Sequence, residues 1–383
     1  MAKPVSERKK IVTIDKVIGG VTDGKDLNWR QGSGTPTPPT NPTVTSDSSL
    51  ICFADINPTY ERPFDLIARR TPGKHSHLLY HKVGETGRVA FETELNFAEL
   101  ISTTTHGQHL PSIIPLLKAC GYEGVAAETS QNGTNQLTKM QLKVNDPIVA
   151  NEGITTSSQL KLRGYVDDDQ YFLISGAVGT VRFTLPAGGI AKAAFEFMGA
   201  ADGLPTASAP PYTAGVLTPD FEKSENHPFL VQGVTFNPAL PADIEAEIKE
   251  VVIDLASSLT KRPDPTAATG FSGYRIADIN TVVTLKFEIN DPEKWDTFQA
   301  NIGSETANPF TFGVRMASGV NNRSGSTPKW NVPLELTIDL QYAGSEITTE
   351  DGVQYFILTL KPANGYIAPL VHFGTTANLI TWS

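Results

Sequence analysis

Positive charge is scarce in this chain: 31 Lys and Arg stand against 41 Asp and Glu, for a net charge of −10. That deficit argues against a nucleic-acid binder that draws its affinity from neutralised phosphates. It is compatible with a surface that DNA passes without sticking, because an acidic wall repels phosphate. The basic run Arg8–Lys10 stands by itself and reads as a solvated terminus. Cysteine is scarce too: Cys52 and Cys120 lie far apart and no CxxC occurs, so neither a zinc site nor a disulfide framework is implied. No stretch approaches the ~18 apolar residues of a membrane-spanning helix. The opening residues carry no apolar h-region, so no secretory signal is expected. There is no GxSxG nucleophile elbow and no glycine-rich phosphate loop ahead of a helix.

What the chain has instead is turn and strand chemistry. Charged residues make up 19% and hydrophobic residues 39%, with Gly 32 and Pro 27. Thr, Ser, Asn and Gly fill the gap left by charge, a mix that favours β architecture over helix bundles. A length of 383 residues suggests about two domains.

Residues 1–50 read as an N-terminal arm. Ile11–Val17 is a candidate short strand, and Gln31–Asp47 (QGSGTPTPPTNPTVTSD) is too rich in Pro, Thr and Ser to form a core. Strand signals begin near Leu50. Val89, Phe91, Thr93 and Leu95 alternate with polar or small residues, as do Met140, Leu142 and Val144, then Val181, Phe183 and Leu185, then Ala193, Phe195 and Phe197. Period two with one apolar face predicts strands packed on one side. A helix is expected over His109–Ala119, with Leu110, Ile113, Leu117 and Cys120 on one face and Gly121 at its end. Pro115 fits such a helix only in its first turn.

The second half has a similar plan. Val251, Ile253 and Leu255 make one strand face; Val283, Leu285, Phe287 and Ile289 make another. Asp291-Pro292-Glu293 then predicts a helix start, with Trp295, Phe298 and Ile302 as its buried stripe and Gly303 at its end. Phe310, Phe312, Val314 and Met316 predict a strand, and Leu334, Leu336, Ile338 and Leu340 another. Tyr355–Leu360 is apolar on both faces and should be central or interfacial. The segments Val89–Leu95 and Val283–Ile289 match in pattern and each precedes a helix signal. This reads either as a weak internal repeat or as two unrelated β-domains that share only binary patterning. The expected organisation is therefore mainly β: an arm over 1–50, a first β-domain over 51–215 and a second over 216–383, each with one short flanking α-helix.

Several segments together resemble the siphophage-type major tail tube proteins of bacteriophages. They are Asn57–Glu61 (NPTYE), Arg69-Arg70, Gly87–Leu95 (GRVAFETEL) and Leu110–Gly121 ending in KACG, followed by Tyr165–Gln170, Ile174–Val181 (ISGAVGTV) and Ala187–Gly199 (AGGIAKAAFEFMG). Leu259–Asp264 (LTKRPD) and Ser272–Ile279 (SGYRIADI) resemble the family's later strands. Residues 1–50 match no family pattern, and the Pro-, Ala- and Thr-rich loop Gly203–Lys223 is longer than usual. The resemblance implies tandem β-sandwich or barrel domains that close into rings, stack into a hollow tube and conduct DNA during ejection. Two tube-like halves imply three chains per pseudo-hexameric ring; one such half implies six. It further implies a virion protein made in the host bacterial cytoplasm, partnered by copies of itself and by tape measure, terminator and distal tail proteins. Genomic DNA would pass without specific binding, and no membrane, metal, cofactor or catalytic residue is implied.

On that resemblance, the candidate lumen-facing residues are the outward acids of the longest strands: Glu92, Glu94, Glu288, Glu335 and Asp339. The alternative for each is a plain solvent-facing position. The candidate inter-ring contacts are Thr35, Pro38, Pro39 and Pro42 in the arm, and Pro205 and Pro211 in the loop. Asp167-Asp168-Asp169 could offer calcium ligands but reads better as a hairpin turn, having no further ligands at loop spacing. His75, His77 and His81 would share one strand face, yet Pro72-Gly73 points to a loop and no Cys or carboxylate partner is evident. A rival reading is a virion β-sandwich binding module, carbohydrate-binding or decorating, which would need an exposed aromatic platform. Trp29, Trp295, Trp330 and Trp382 are scattered, which counts against it. A jelly-roll hydrolase lacks paired carboxylates in a recognisable context.

Overall fold

The computed structural model describes residues 11–18, 49–50, 57–61, 64–71, 74–82, 86–95, 113–129, 137–144, 159–167, 170–201, 206–207, 229–237, 248–263, 271–288, 293, 310–318 and 334–374. In chain order the elements are β1 (Ile11–Ile18), β2 (Ser49–Leu50), β3 (Asn57–Glu61), β4 (Phe64–Thr71), β5 (Lys74–Lys82), β6 (Thr86–Glu94), α1 (Ile113–Ala119), β7 (Tyr122–Thr129), β8 (Leu137–Val144), β9 (Gln159–Asp167) and β10 (Gln170–Pro186). They continue with β11 (Lys192–Ala201), β12 (Thr206–Ala207), β13 (Phe229–Asn237), β14 (Ile248–Asp254), β15 (Ser257–Pro263), β16 (Phe271–Ile279), β17 (Val282–Glu288), β18 (Phe310–Ser318), β19 (Leu334–Glu350), β20 (Val353–Pro362) and β21 (Leu370–Gly374). The protein is mainly β, as its alternating sequence requires.

The spine is β10. Its 17 residues exceed what one partner can cover, so it changes partners along its length. On one edge it pairs β9 and then β14; on the other it pairs β12 and then β11. From β14 the ladder runs through β17, β20, β19 and β18 to β13. Two isolated bridges, Ala187 with Val231 and Ile190 with Leu230, return β13 to the β10–β11 turn and close a barrel. Closure satisfies the backbone groups that a free edge would expose. Sheet branches extend it: β11–β6–β3, β9–β1–β2 and β19–β21–β8–β7.

The core follows the alternation. On β11, Ala193, Phe195 and Phe197 are buried between partly exposed neighbours. Phe91 of β6 lies opposite Phe195, and the Phe91, Phe195 and Phe197 rings stand 5.7–5.9 Å apart, the spacing at which aromatic pairs add to burial. Phe236 of β13 meets Phe310 and Phe312 of β18 in the same way. The sheet crosses residue 215: Arg182 faces Asp254 across β10–β14, and Leu142 faces Val371 across β8–β21. The buried residues form a single apolar cluster that runs from Val89 to Val371.

Several sequence expectations meet the structure directly. The strand expected at Ile11–Val17 forms as β1, and it joins the main sheet against β9. The helix forms as Ile113–Ala119, with Pro115 in its first turn and Ile113, Leu116, Leu117 and Cys120 buried; residues 109–112 lie outside the described residues. Where a hairpin turn is expected at the Asp run, Asp167 ends β9 and pairs with Gln170, which begins β10; Asp168 and Asp169 lie outside the described residues. Residues 355–360 sit in β20, central between β17 and β19. Within the loop expected over residues 203–223, Thr206–Ala207 is a short strand against Gln170 and Tyr171. Glu293 is helical where Asp291-Pro292-Glu293 predicts a helix start; Trp295, Phe298, Ile302 and Gly303 lie outside the described residues.

One close contact offers a test of the spine. A Cβ on Gly179 of β10 would lie 2.4 Å from the Glu196 carbonyl oxygen and 2.4 Å from the Phe197 ring. Backbone and core cannot both give way, so Gly179→Ala is expected to destabilise the protein by about 1–3 kcal/mol. Chemical denaturation measures it; an unchanged midpoint would refute the packing described.

Candidate functional site

Residues directly opposite one another in an antiparallel ladder share a face. Tracing the register from β6 through β11, β10, β14 and β17 to β20 therefore places the non-core side chains on one continuous outer face. It carries Glu92 and Glu94 of β6, Glu196 and Lys192 of β11, Arg182 of β10, Asp254 of β14, and Lys286 and Glu288 of β17. Three of the five candidate lumen acids, Glu92, Glu94 and Glu288, thus share one surface, although Glu288 lies far from the other two in sequence.

The face is charge-paired, not uniformly acidic. Arg88 donates from Nε and Nη2 to the two carboxylate oxygens of Glu196, both at 2.7 Å. Lys192 donates to Glu92 at 2.8 Å. Lys249 meets Glu288 at 2.7 Å, and Lys286 bonds Glu350 while lying over the Tyr355 ring. The hydrogen bond from Lys192 to Glu92, and then the charge of Glu92, raise the Lys192 pKa. A raised lysine pKa contributes stability at neutral pH that is lost as pH rises through the raised value. Because these groups are mostly solvated, the contribution is small.

Glu335 departs from the expectation. It was expected to face solvent, but it is only 3% exposed. It lies in register between Arg315 of β18 and His372 of β21, with Arg315 Nε 3.8 Å away. His372, also buried, has its Nε2 3.1 Å from Thr337 Oγ1. This row of polar groups crosses the seam where β21 joins β19. Its physical origin is that β19 is covered on both faces here, so alternation alone does not expose its odd positions. Asp339 is partly buried and held: Thr311 donates to it at 2.7 Å and Asn364 at 2.9 Å. Nearby Tyr366 has its phenol pKa raised, first by burial and second by the Asp339 charge.

The remaining candidates divide cleanly. Thr35, Pro38, Pro39, Pro42, Pro205 and Pro211 lie outside the described residues. His75, His77 and His81 fall on β5, which pairs with β4 in a separate two-stranded sheet. Among the described residues no group of three or more His, Cys, Asp or Glu could hold a metal ion. Burial pushes the Cys120 thiol and the Tyr122 phenol well up, so neither is ionised as a nucleophile at neutral pH. No described helix is long and apolar enough to cross a membrane. The pairing cations Arg88, Lys192, Lys249 and Lys286 were not anticipated, because only strand register brings them to their acids.

The two kinds of acid differ in what they tolerate. Glu94→Lys, on an exposed strand side, is expected to change stability by less than about 0.5 kcal/mol. Glu335→Lys places an ammonium at a buried position beside the Arg315 guanidinium and removes its carboxylate partner, and is expected to cost more than about 3 kcal/mol. Equal denaturation midpoints for the two variants would refute the distinction.

A scan against models of protein families and a search of curated proteins each find no match.

Proposed function

We propose that the chain is a structural subunit of a phage tail tube, assembling into rings that stack around a channel for DNA. The observation that carries this reading is the ordered set of segments resembling tail tube proteins, from Asn57–Glu61 to Ser272–Ile279; those at Asn57–Glu61, Gly87–Leu95, Ile174–Val181 and Ala187–Gly199 fall on β3, β6, β10 and β11 of the main antiparallel sheet. A lumen wall must not grip phosphate, since lysine and arginine contacts are what hold DNA. The outer face of β6–β11–β10–β14–β17 suits that need. Several of its cations are engaged by carboxylates of the same chain, as in Arg88–Glu196 and Lys192–Glu92. Glu92, Glu94 and Glu288 are the acids proposed to line the channel. Glu335, being buried, is proposed instead to fix the β18–β19–β21 seam.

If the two halves that the resemblance implies are both tube-like, three chains per pseudo-hexameric ring are proposed over six. The partners proposed are further copies of the chain and the tail's tape measure, terminator and distal proteins, in a virion. The rival carbohydrate-binding or decorating module requires an aromatic platform. Among the described residues the exposed large hydrophobics are Tyr342 and Ile347, which supply one ring.

Negative-stain microscopy of the concentrated full-length protein is the test. Rings or tubes with a central hole are expected, and the subunit count of a ring separates three copies from six. A persistent monomer retained on a glycan column would refute the tube and support the rival.

A further inference from the structure

The long strand β19 has two physical halves. From Leu334 to Leu340 every residue is buried or partly buried; from Gln341 to Glu350 no residue is buried. A register shift between Tyr342 and Gly344 marks the change. Beyond it β19 and β20 form a ribbon closed by Asp351-Gly352, both at positive φ (51° and 83°), as a two-residue hairpin turn requires. The ribbon holds Ile347 63% exposed. Across the ladder Ile347 faces Phe356, which is buried, so the ribbon carries an apolar side chain out past the edge of the core. Its carboxylates are Glu346, Glu350 and Asp351, all exposed. Glu350 is engaged by Lys286; among the described residues Glu346 and Asp351 have no ion-pair partner.

A second feature leaves the opposite end of the same sheet. The β15–β16 hairpin is inserted between β14 and β17, beyond the paired residues Asp254 and Val282. The β19–β20 turn lies past the other end of β17, where Glu288 pairs with Tyr355. The hairpin lies on the spine: a Cβ on Gly273 would come 2.8 Å from the Gly176 carbonyl oxygen, and Tyr274, Ile276 and Ile279 are buried. Its outward residues include Lys261, Arg262 and Arg275, all exposed. Its one described acid, Asp278, sits at the root, where its Oδ1 accepts the Ile279 N–H.

An acidic ribbon with an uncovered isoleucine at one end, and a basic hairpin at the other, make the subunit polar along its strands. We propose that the Glu346/Ile347/Asp351 ribbon of one copy docks on the Arg262/Arg275 face of the β15–β16 hairpin of a second copy. Such a contact is heterologous. Each copy keeps one surface of each kind free, so the contact propagates head to tail. Attraction between oppositely charged surfaces fixes the direction, and like ends repel. Covering Ile347 supplies the apolar part of the contact.

The inference takes its partner, a second copy, from the self-assembling reading above. Its test is a charge swap in the full-length protein, read by analytical ultracentrifugation at low and high salt. Glu346→Lys with Asp351→Lys in one variant, and Arg262→Glu with Arg275→Glu in another, should each weaken self-association by more than about tenfold. Mixing the two variants should restore it, because the reversed ribbon then meets the reversed hairpin. Raised salt should weaken the parent and the mixture alike. Ile347→Ser is an independent variant at an exposed position and should also weaken association without altering the thermal midpoint. Undiminished association in both charge-reversed variants, or a mixture no stronger than either alone, would overturn the contact. Hollow tubes formed equally by both variants would overturn it while leaving the tube reading intact. Salt-sensitive head-to-tail oligomers without a central hole would keep the contact and overturn the tube.

Discussion

Every part of this structure depends on the backbone hydrogen bonding of β10. A buried N–H or C=O without a partner costs about as much as several ordinary stabilising contacts. A 17-residue strand through the middle of a core therefore has to be paired along both edges. β9 and β14 share one edge, while β12 and β11 share the other. That division of partners couples the first half of the chain to the second. The barrel closes around the far end of the same strand, at Ala187 and Ile190. The small residues of the spine, such as Gly179, are then a steric requirement imposed by the strands crossing it.

Alternation made most strands legible. Val89 and Phe91, Val181 to Leu185, Ala193 to Phe197 and Leu334 to Leu340 are apolar on one side only, and each lies in a strand with that side buried. The turn at Asp351-Gly352 was also written in the sequence, as an Asp-Gly pair between β-forming runs. Partner choice was not legible. Nothing local in Arg182 points to Asp254, and nothing in Leu142 points to Val371, because such pairings are set by the closure of the whole sheet. Chain length and pattern, which suggest a division at residue 215, do not register the pairings that cross it.

The candidate face was legible in its composition and not in its balance. Outward acids on long strands can be picked from periodicity, and Glu92, Glu94 and Glu288 do lie on the outer side of the sheet. The cations beside them come from other strands, as Lys192 and Lys249 do. Glu335 shows the limit of the same rule. Period two separates two faces of a strand but does not say whether the second face is open, and at the β18–β19–β21 seam it is covered.

That seam also bears on how the chain folds as it is made. Among the described residues the β7–β8 pair joins the main sheet only through β21, residues Leu370–Gly374. A strand formed near residue 140 thus waits for one made more than two hundred residues later. Non-local pairing of this kind is slow, and it leaves edges open while synthesis continues. The nascent chain therefore holds the β7–β8 pair undocked until β21 has emerged.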